Sequence, residues 1–579
     1  MATNYHDFPQ DLVNALWGIG KSVESLAKTH LDPTDATIVD ATFEAILDGK
    51  NTSSVFQAWW PLSDNGADDR YTRLNRWFTM LANSYGDKVY TIRKPVYTTT
   101  SDGTWTPRAD LANKPALKMY IETDDVEDEW VDEDPMFWYI RANALAKEDG
   151  TVDIKAIEGI DADFDLYGQL APVQRFSVAL WKAWFTDGTY EYKSIATKQG
   201  SGMRPYACDV GLDNEKRTMT WKPCFPGILT PDGKLTSGIW GHGNTQACFL
   251  SLNTGLTAAR KWNAHTGLQS DTDVMWVKDM FEFLHRNVEN SNIMEGCTSY
   301  DVRAAVGVAE DATTRVLISE ADGAKFYVGS MIEIGTHAEG TDNDRGTAGN
   351  RDLSDGVLIK DKYPVTIDGT TYTALELDLL APINIPATAS IATMPWSGGA
   401  CEILPKHKDG TLFGLTSGKA PIRISGVEVI DGAYAVGGDP LWQVTFNTET
   451  NEHRLHVYQC RQASKQAGAL TTYTDTGLEL VQENVTSNGW KYIKHFKIND
   501  YDMLIPDATG GGSTTYEKSG LSCGCSSGLR ACWRFAALYH SGGAGLAAAS
   551  SGIAVSYADW IGRPRLSGSG GNRGEWLAA

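Results

Sequence analysis

The sequence predicts a multidomain α+β protein with a helical N-terminal region, a β-sheet domain and a C-terminal domain that carries a β-rich insertion. A chain of 579 residues is too long for one hydrophobic core and is typical of roughly three to five domains. Helical periodicity is concentrated near the N-terminus, whereas 57 glycines and short apolar runs characterise much of the rest. An apolar fraction of 42% with 21% charged residues indicates a globular chain.

The charge balance excludes some classes of partner. The chain has 51 basic and 73 acidic residues and a net charge of −22, which opposes binding to the phosphates of nucleic acids. The first residues show no basic segment followed by an apolar run, and no stretch of about 18 apolar residues occurs. We therefore expect a soluble protein made in a cytoplasm, with no membrane insertion and no nucleic-acid partner.

The N-terminal region, residues 1–94, carries the first helical signals. One apolar seam alternates spacings of four and three residues, at Leu12, Leu16, Ile19, Val23 and Leu26. This seam covers only about two heptads, and it either closes a short parallel oligomer or packs on its own domain. A second helix is predicted after Pro33 with its end at Gly49, and a third in "YTRLNRWFTMLANSYG", ending at Gly86.

Residues 95–204 are predicted to form a β-sheet domain. The runs "ALKMYIET", "MFWYIRANAL" and "RFSVALWKAWF" are typical of strands separated by turns. Between two of them, "TDDVEDEWVDEDP" places eight carboxylates from Asp124 to Asp134. We interpret this acidic run as a solvated loop, with calcium binding as the less favoured alternative.

Residues 205–300 together with 416–579 form the predicted C-terminal domain, and residues 301–415 form a β domain inserted into it. The segment "DTDVMWVKDMFEFLHRNVENSN" has the clearest helical period of the chain, with Asp271 or Asp273 as its N-cap. Inside the insertion, Asp342 and Asp344 followed by Gly346 partly match a calcium loop, but the glutamate at the twelfth position is missing. A mobile loop is the favoured interpretation.

Motifs for catalysis or metal binding are absent from the sequence. There is no phosphate loop, nucleophile elbow or His-Glu-x-x-His pair, and His453 and His456 would point to opposite faces of a strand. The trio Cys523, Cys525 and Cys532 suits one disulfide or a zinc site less well than buried free thiols. We predict no catalytic residue, no metal and no cofactor, although paired carboxylates for glycoside cleavage need no sequence motif.

The C-terminal segment "GLRACWRFAALYHSGGAGLAAASSGIAVSYADWIGRPRLSG" sustains neither a helical nor a strand period. A set of large or constrained residues forms a framework: Arg530, Trp533, Arg534, Trp560, Gly562, Arg563 and Arg565. Between them stand smaller or exchangeable residues, for which a tightly packed core is the alternative to a displayed surface. The two framework tryptophans are expected in the core.

The spacing "R-A-C-W-R-F…S-G-G-A-G-L…Y-A-D-W-I-G-R-P-R-L-S" resembles the variable region of proteins diversified by retroelements in gut-type phages, similar to the major tropism determinants of phage tails. "VMWVKDMFEFLHRNVENSN", "GCTSY" and "RISGVEVIDGAYAV" resemble other parts of the same domain, and the last is similar to the sulfatase-modifying-factor fold. The resemblance covers about residues 205–300 and 416–579 and implies a C-type lectin-like fold there. Cys523 and Cys525 do not match the cysteine pair of the related formylglycine-generating enzymes, so that activity is not implied.

The resemblance also implies a function, which is the binding of a bacterial surface receptor, protein or glycan, by a phage tail-tip protein. The implied ligand-binding surface consists of Tyr539, His540, Ser541, Ala547, Ala549, Ser551, Ile553, Val555, Tyr557 and Asp559. Tyr539, His540 and Tyr557 are the expected contact residues, because such side chains offer large contact areas with few torsions to freeze. Other tail or baseplate proteins and a homotrimer are the further expected partners, and the tail of the virion is the expected location. A tail-spike glycan depolymerase and a purely structural baseplate protein are the alternatives.

Overall fold

The computed structural model describes residues 52–84, 86–96, 103–117, 134–340, 344–404, 418–486, 489–510, 512 and 517–576. The predicted seam at 12–26, the helix predicted after Pro33, the acidic residues 124–133 and Asp342 lie outside the described residues. The molecule is a mixed α+β protein in which sheet predominates, with 38% strand and 16% helix. None of its helices in the described ranges is long and apolar enough to span a membrane.

The helices of the described residues are α1 (Thr52–Leu62), α2 (Arg70–Ser84), α3 (Leu252–Arg260), α4 (Asp271–His285), α5 (Glu320–Gly323) and α6 (Ala400–Ile403). Helix α2 confirms the helix predicted just before Gly86, and α4 confirms the helix predicted from the clearest period. The predicted N-cap of α4 was wrong. Ser270 occupies the N-cap position, because the carboxylates of Asp271 and Asp273 are buried and bind C-terminal groups instead of the helix end.

Strands β1 to β12 build three antiparallel sheets in the first half of the chain. The strands are β1 (Val89–Pro95), β2 (Thr106–Ala109), β3 (Ile140–Ala146), β4 (Val152–Ile157), β5 (Val173–Val178), β6 (Trp181–Thr186), β7 (Tyr190–Ala196), β8 (Arg204–Pro205), β9 (Met219–Pro223), β10 (Gly227–Leu229), β11 (Leu235–Ser237) and β12 (Thr245–Gln246). Their orders are β2-β1-β7-β6-β8, β4-β3-β5-β9 and β11-β10-β12. Strands β3, β5 and β6 confirm the strands predicted in "MFWYIRANAL" and "RFSVALWKAWF".

The region interpreted as an insertion contains the next eight strands. They are β13 (Arg303–Ala305), β14 (Glu310–Thr313), β15 (Arg315–Ser319), β16 (Met331–Gly335), β17 (Ser354–Ile367), β18 (Thr370–Leu377), β19 (Ile383–Ile385) and β20 (Ser390–Met394). Six form a sheet in the order β13-β20-β16-β17-β18-β15, and β14 pairs with β19. Ile318, Phe326, Ile332 and Leu375 belong to a hydrophobic cluster of this region. We refer to residues 301–404 as the inserted region.

The C-terminal strands are β21 (Ile422–Ile424), β22 (Val427–Val429), β23 (Tyr434–Asn447), β24 (Glu452–Gln459), β25 (Thr474–Gln482), β26 (Gly489–Phe496), β27 (Pro506–Thr509), β28 (Gly520–Cys523), β29 (Gly528–Phe535), β30 (Ala549–Ser550) and β31 (Gly562–Pro564). Nine of them form one sheet, in the order β25-β24-β23-β29-β30-β28-β26-β27, with β31 parallel to β23. The sheet is barrel-like and nearly closed, and Thr509 of one edge strand donates a hydrogen bond to Gln482 of the other.

A continuous hydrophobic cluster joins helices and sheets of the first half of the chain to the nine-stranded sheet. It includes Trp59 of α1, Trp77 of α2, Phe176 of β5, Trp276 of α4 and Trp442 of β23. The predicted domain limits at 94 and 204 therefore do not separate independent cores among the described residues. Burying this apolar surface holds the helices, the first sheets and the nine-stranded sheet together.

Buried ion pairs reinforce the same junction. Lys193 of β7 lies 2.7 Å from Asp279 and 2.5 Å from Glu282, both on α4. Lys94 of β1 lies 2.6 Å from Glu517, just before β28. All five side chains are buried or nearly buried, so the energetic cost of burying each charge is offset by its partner. The pairs join the first five-stranded sheet to α4 and to the segment just before β28.

Candidate functional site

The framework residues of the C-terminal segment are buried in or beside the nine-stranded sheet. Trp533, Arg534 and Arg563 are at most 2% exposed, and Arg530, Trp560, Gly562 and Arg565 are also buried. Strand β29 is covered on both faces, with Cys532 in the cluster that includes α4 and Trp533 in the cluster that includes α3. This double burial explains why the segment has no alternating apolar pattern.

Each framework arginine is held by acceptors within the fold. Arg534 binds both carboxylate oxygens of Asp271 at 2.6 Å and donates to the Leu504 carbonyl at 2.9 Å. Arg563 lies 2.5 Å from Asp431. A side chain at Gly562 would place its Cβ 2.4 Å from the Trp533 ring. The framework residues are therefore structural, as expected for the two tryptophans.

Three residues of the predicted ligand surface are not on the surface. Ala547, Ala549 and Ser551 are buried, and their assignment to a displayed surface was wrong. The reason is the position of β30 in the interior of the nine-stranded sheet, parallel to β28 and antiparallel to β29. Ser551 also donates to the Ser522 carbonyl at 2.9 Å and lies 3.3 Å from His453 Nε2. Only small side chains fit between these neighbours.

The remaining residues of the prediction flank this buried stretch and lie at or near the surface. Tyr539 and Tyr557 are 42% and 46% exposed and Ser541 is exposed. His540 and Asp559 are half-buried, as are Ile553 and Val555, which pack against the core beside them. We call the group formed by Tyr539, His540, Ser541, Tyr557 and Asp559 the tyrosine surface.

Ring contacts and one hydrogen bond fix the members of the tyrosine surface. The ring centroids of Tyr539 lie 4.4 Å from His540 and 5.9 Å from Trp560. The Tyr557 ring lies 6.1 Å from Trp533, and its hydroxyl donates to Asp559 Oδ2 at 2.7 Å. The two exposed tyrosines thus rest on framework tryptophans, which limits their rotamers before any ligand arrives.

His540 and the two tyrosines of the tyrosine surface are uncharged near neutral pH. Burial lowers the pKa of His540 to about 4, and its Nδ1 accepts a hydrogen bond from the Ala537 N–H. Burial, followed by the charges of Asp559 and Asp301, raises the pKa of Tyr539 to about 12. The pKa of Tyr557 is also raised, by burial and by its hydrogen bond to Asp559. Neutral imidazole and phenol groups suit binding and supply neither a general base nor an activated nucleophile poised near neutrality.

The inserted region borders the tyrosine surface, and the sequence did not predict this proximity. The guanidinium of Arg345 packs over Trp560, with 4.3 Å between its Cζ and the ring centroid, and donates to Asp301. The Phe249 N–H donates to the Asp559 carbonyl at 3.0 Å. No local pattern marks Arg345, because its partner Trp560 lies far along the chain.

The other candidate features of the described residues are clusters of metal-ligating side chains, the cysteines and histidines, and one cleft. Within the described ranges no group of three His, Cys, Asp or Glu side chains is arranged to hold a metal ion. All nine cysteines are free thiols, and His453 and His456 occupy the buried and outer faces of β24. A cleft of about 330 Å³ beside β24 and β25 is lined by Arg461 and Glu575, among others, but Arg461 lowers the pKa of Glu575, which opposes a role as a general acid at neutral pH.

No protein-family model matches the chain, and no curated protein matches it significantly.

Proposed function

We propose that the chain is a receptor-binding protein of a phage tail, in which a C-type lectin-like C-terminal domain binds a bacterial surface receptor through the tyrosine surface. In this proposal the N-terminal region attaches the protein to the virion and supports a trimer. Several copies then bind together, so that avidity compensates for a weak single contact. Ala547, Ala549 and Ser551 have no part in the binding surface.

One observation carries the proposal. The segment that resembles the variable region combines a buried framework with two exposed tyrosines that rest on it. Exposed aromatic side chains held in place are the usual centres of binding surfaces, because they offer contact area at a low entropic cost. Surface substitutions beside a rigid framework change stability by only about ±0.5 kcal/mol, so the surface is free to vary.

The proposal is tested by binding of the fluorescent full-length protein to a panel of intact gut bacteria, measured by flow cytometry. We expect strain-selective binding that is lost in the Tyr539→Ala/Tyr557→Ala double variant. Phe185→Ala is the matched control, since Phe185 is an exposed aromatic residue of β6, 48% exposed, outside the tyrosine surface. Equal binding by the wild type and the double variant would contradict the proposal.

A second test separates receptor binding from the two alternatives. Release of oligosaccharides from host capsule would favour a depolymerase. A near-repeat of the DNA that encodes residues 530–565, differing at adenines, would favour a diversified binder over a structural baseplate protein. We expect these adenines to fall in the codons of the tyrosine surface and of Ile553 and Val555, and not in those of the buried residues.

A further inference from the structure

The inserted region places the Asp301 carboxylate at the edge of the tyrosine surface and buries the guanidinium of its partner, Arg345. The side chain of Arg345 is 1% exposed, whereas that of its partner Asp301 is 41% exposed. The guanidinium of Arg345 is covered on one side by Trp560. The Asp301 carboxylate is therefore the part of this ion pair that a ligand approaching the tyrosines can contact.

The charges that act on the exposed tyrosines are mostly negative. At the Tyr557 hydroxyl they come from Asp559 and Asp344. At the Tyr539 hydroxyl, Asp559 and Asp301 act against the buried Arg345. Asp301 belongs to the inserted region and Asp559 to the C-terminal segment, so both parts of the chain contribute negative charge beside Tyr539.

This combination favours a cation. The face of a tyrosine ring is electron-rich and attracts an ammonium or guanidinium group, and a nearby carboxylate adds to the attraction. The net charge of −22 acts in the same direction at longer range and accelerates the approach of a basic partner. A neutral sugar gains from ring stacking but little from the carboxylates, and an acidic surface is repelled.

We propose that the tyrosine surface, completed by Asp301 of the inserted region, binds a basic segment of a partner protein and places a lysine or arginine side chain over the rings of Tyr539 and Tyr557. This inference rests on the proposed function, because it concerns the same surface and specifies the chemistry of the receptor. The inserted region is then part of the binding site and not a spacer.

The test uses the full-length protein and three probes. They are a fluorescein-labelled peptide of alternating glycine and lysine, the same peptide with glutamine in place of lysine, and glucosamine as an amine from a glycan source. Fluorescence polarisation measures the two peptides directly and glucosamine as a competitor. We expect the lysine peptide to bind with a Kd of about 1 mM or tighter, and the glutamine peptide at least about tenfold more weakly.

Charge-neutralising variants locate the binding. Asp301→Asn and Asp559→Asn are each expected to weaken the lysine peptide about three- to tenfold. Asp500→Asn is the matched control, with the same loss of charge at a side chain that is 95% exposed in another loop, and it should change the Kd less than about twofold. Thermal unfolding shows whether each variant is folded. If Asp301→Asn unfolds the inserted region, the result for Asp559→Asn decides the test.

Several outcomes would overturn the inference. They are no binding of the lysine peptide, equal binding of the glutamine peptide, competition by glucosamine alone, or an equal loss in Asp500→Asn, which would indicate unspecific attraction. Competition against bacterial cells separates this inference from the proposed function. Cell binding that depends on the tyrosines but is not reduced by the lysine peptide would refute the basic partner and leave the receptor-binding proposal intact.

Discussion

The C-terminal segment contains one buried stretch of small residues and, on either side of it, two surface stretches of exchangeable residues. Residues 547–551 are buried around β30 in the interior of the nine-stranded sheet, whereas residues 539–541 and 553–559 flank them at the surface. Ala549 is fully buried and Ala558, only nine positions later, is exposed. The difference teaches that residues without a clear period serve two purposes here, which are close packing in the buried stretch and a changeable surface in the two flanking stretches.

The largest expected effect comes from the framework that holds the buried stretch. Replacing Arg534 with Met leaves the buried carboxylate of Asp271 without its bidentate partner. We expect the free energy of unfolding to fall by about 3–5 kcal/mol. Urea denaturation measures this change. Arg461→Met is the control, because its pair with Glu575 is partly exposed and should contribute less than about 1 kcal/mol. Equal losses in the two variants would show that burial of the Arg534 pair is not decisive.

A substitution of Glu289 tests the burial of this carboxyl group, which lies against Gly545 just before the buried stretch. Burial raises the pKa of Glu289 to about 7, above its ordinary 4.5, and a Cβ on Gly545 would lie 2.6 Å from its Oε1. Between about pH 4.5 and 7, the Glu289 carboxyl therefore stays protonated in the folded protein and is ionised in the unfolded chain. We expect this group to lower the free energy of unfolding by up to about 3 kcal/mol as pH rises from about 4.5 to 7. Denaturation at several pH values should show a smaller slope in Glu289→Gln, and an unchanged slope would contradict the assignment.

Two alanines allow the buried and surface stretches to be compared by the same substitution. Ala549→Leu adds volume between Leu521 and Arg534, its neighbours across β28 and β29, and should cost about 1–3 kcal/mol of stability. Ala558→Leu should change stability by less than about 0.5 kcal/mol. Thermal and urea unfolding measure both variants. If Ala558→Leu were as destabilising as Ala549→Leu, the division of the segment would be wrong.

The smallest expected effect is that of pH on receptor binding. The pKa of His540 is lowered to about 4 by burial, so its imidazole is neutral near neutral pH. Cell binding should therefore be constant between about pH 6 and 8. A binding curve with a midpoint in this range that disappears in His540→Gln would contradict the environment assigned to His540.

The sequence predicted the elements whose patterns are local. The period of α4 and the framework tryptophans were visible in the chain, because a helix face and large buried rings leave a clear signal. Ala549 and Ser551 were placed wrongly because alanine and serine occur as readily in a tight core as on a surface. The Ser270 N-cap and the contact of Arg345 with Trp560 depend on partners far along the chain, and no local pattern encodes them.

The division of the C-terminal segment is tested most directly by thiol labelling of Ser541→Cys and Ser551→Cys in the native protein. Of the nine natural cysteines, eight are buried and Cys525 is half-buried, so the wild type provides a low background. We predict that the thiol at position 541 reacts as an exposed thiol, and that the thiol at 551 reacts at least about a thousandfold more slowly, through opening of the sheet. Similar labelling rates at the two positions would contradict the division of the segment into a buried stretch around position 551 and a surface stretch around position 541.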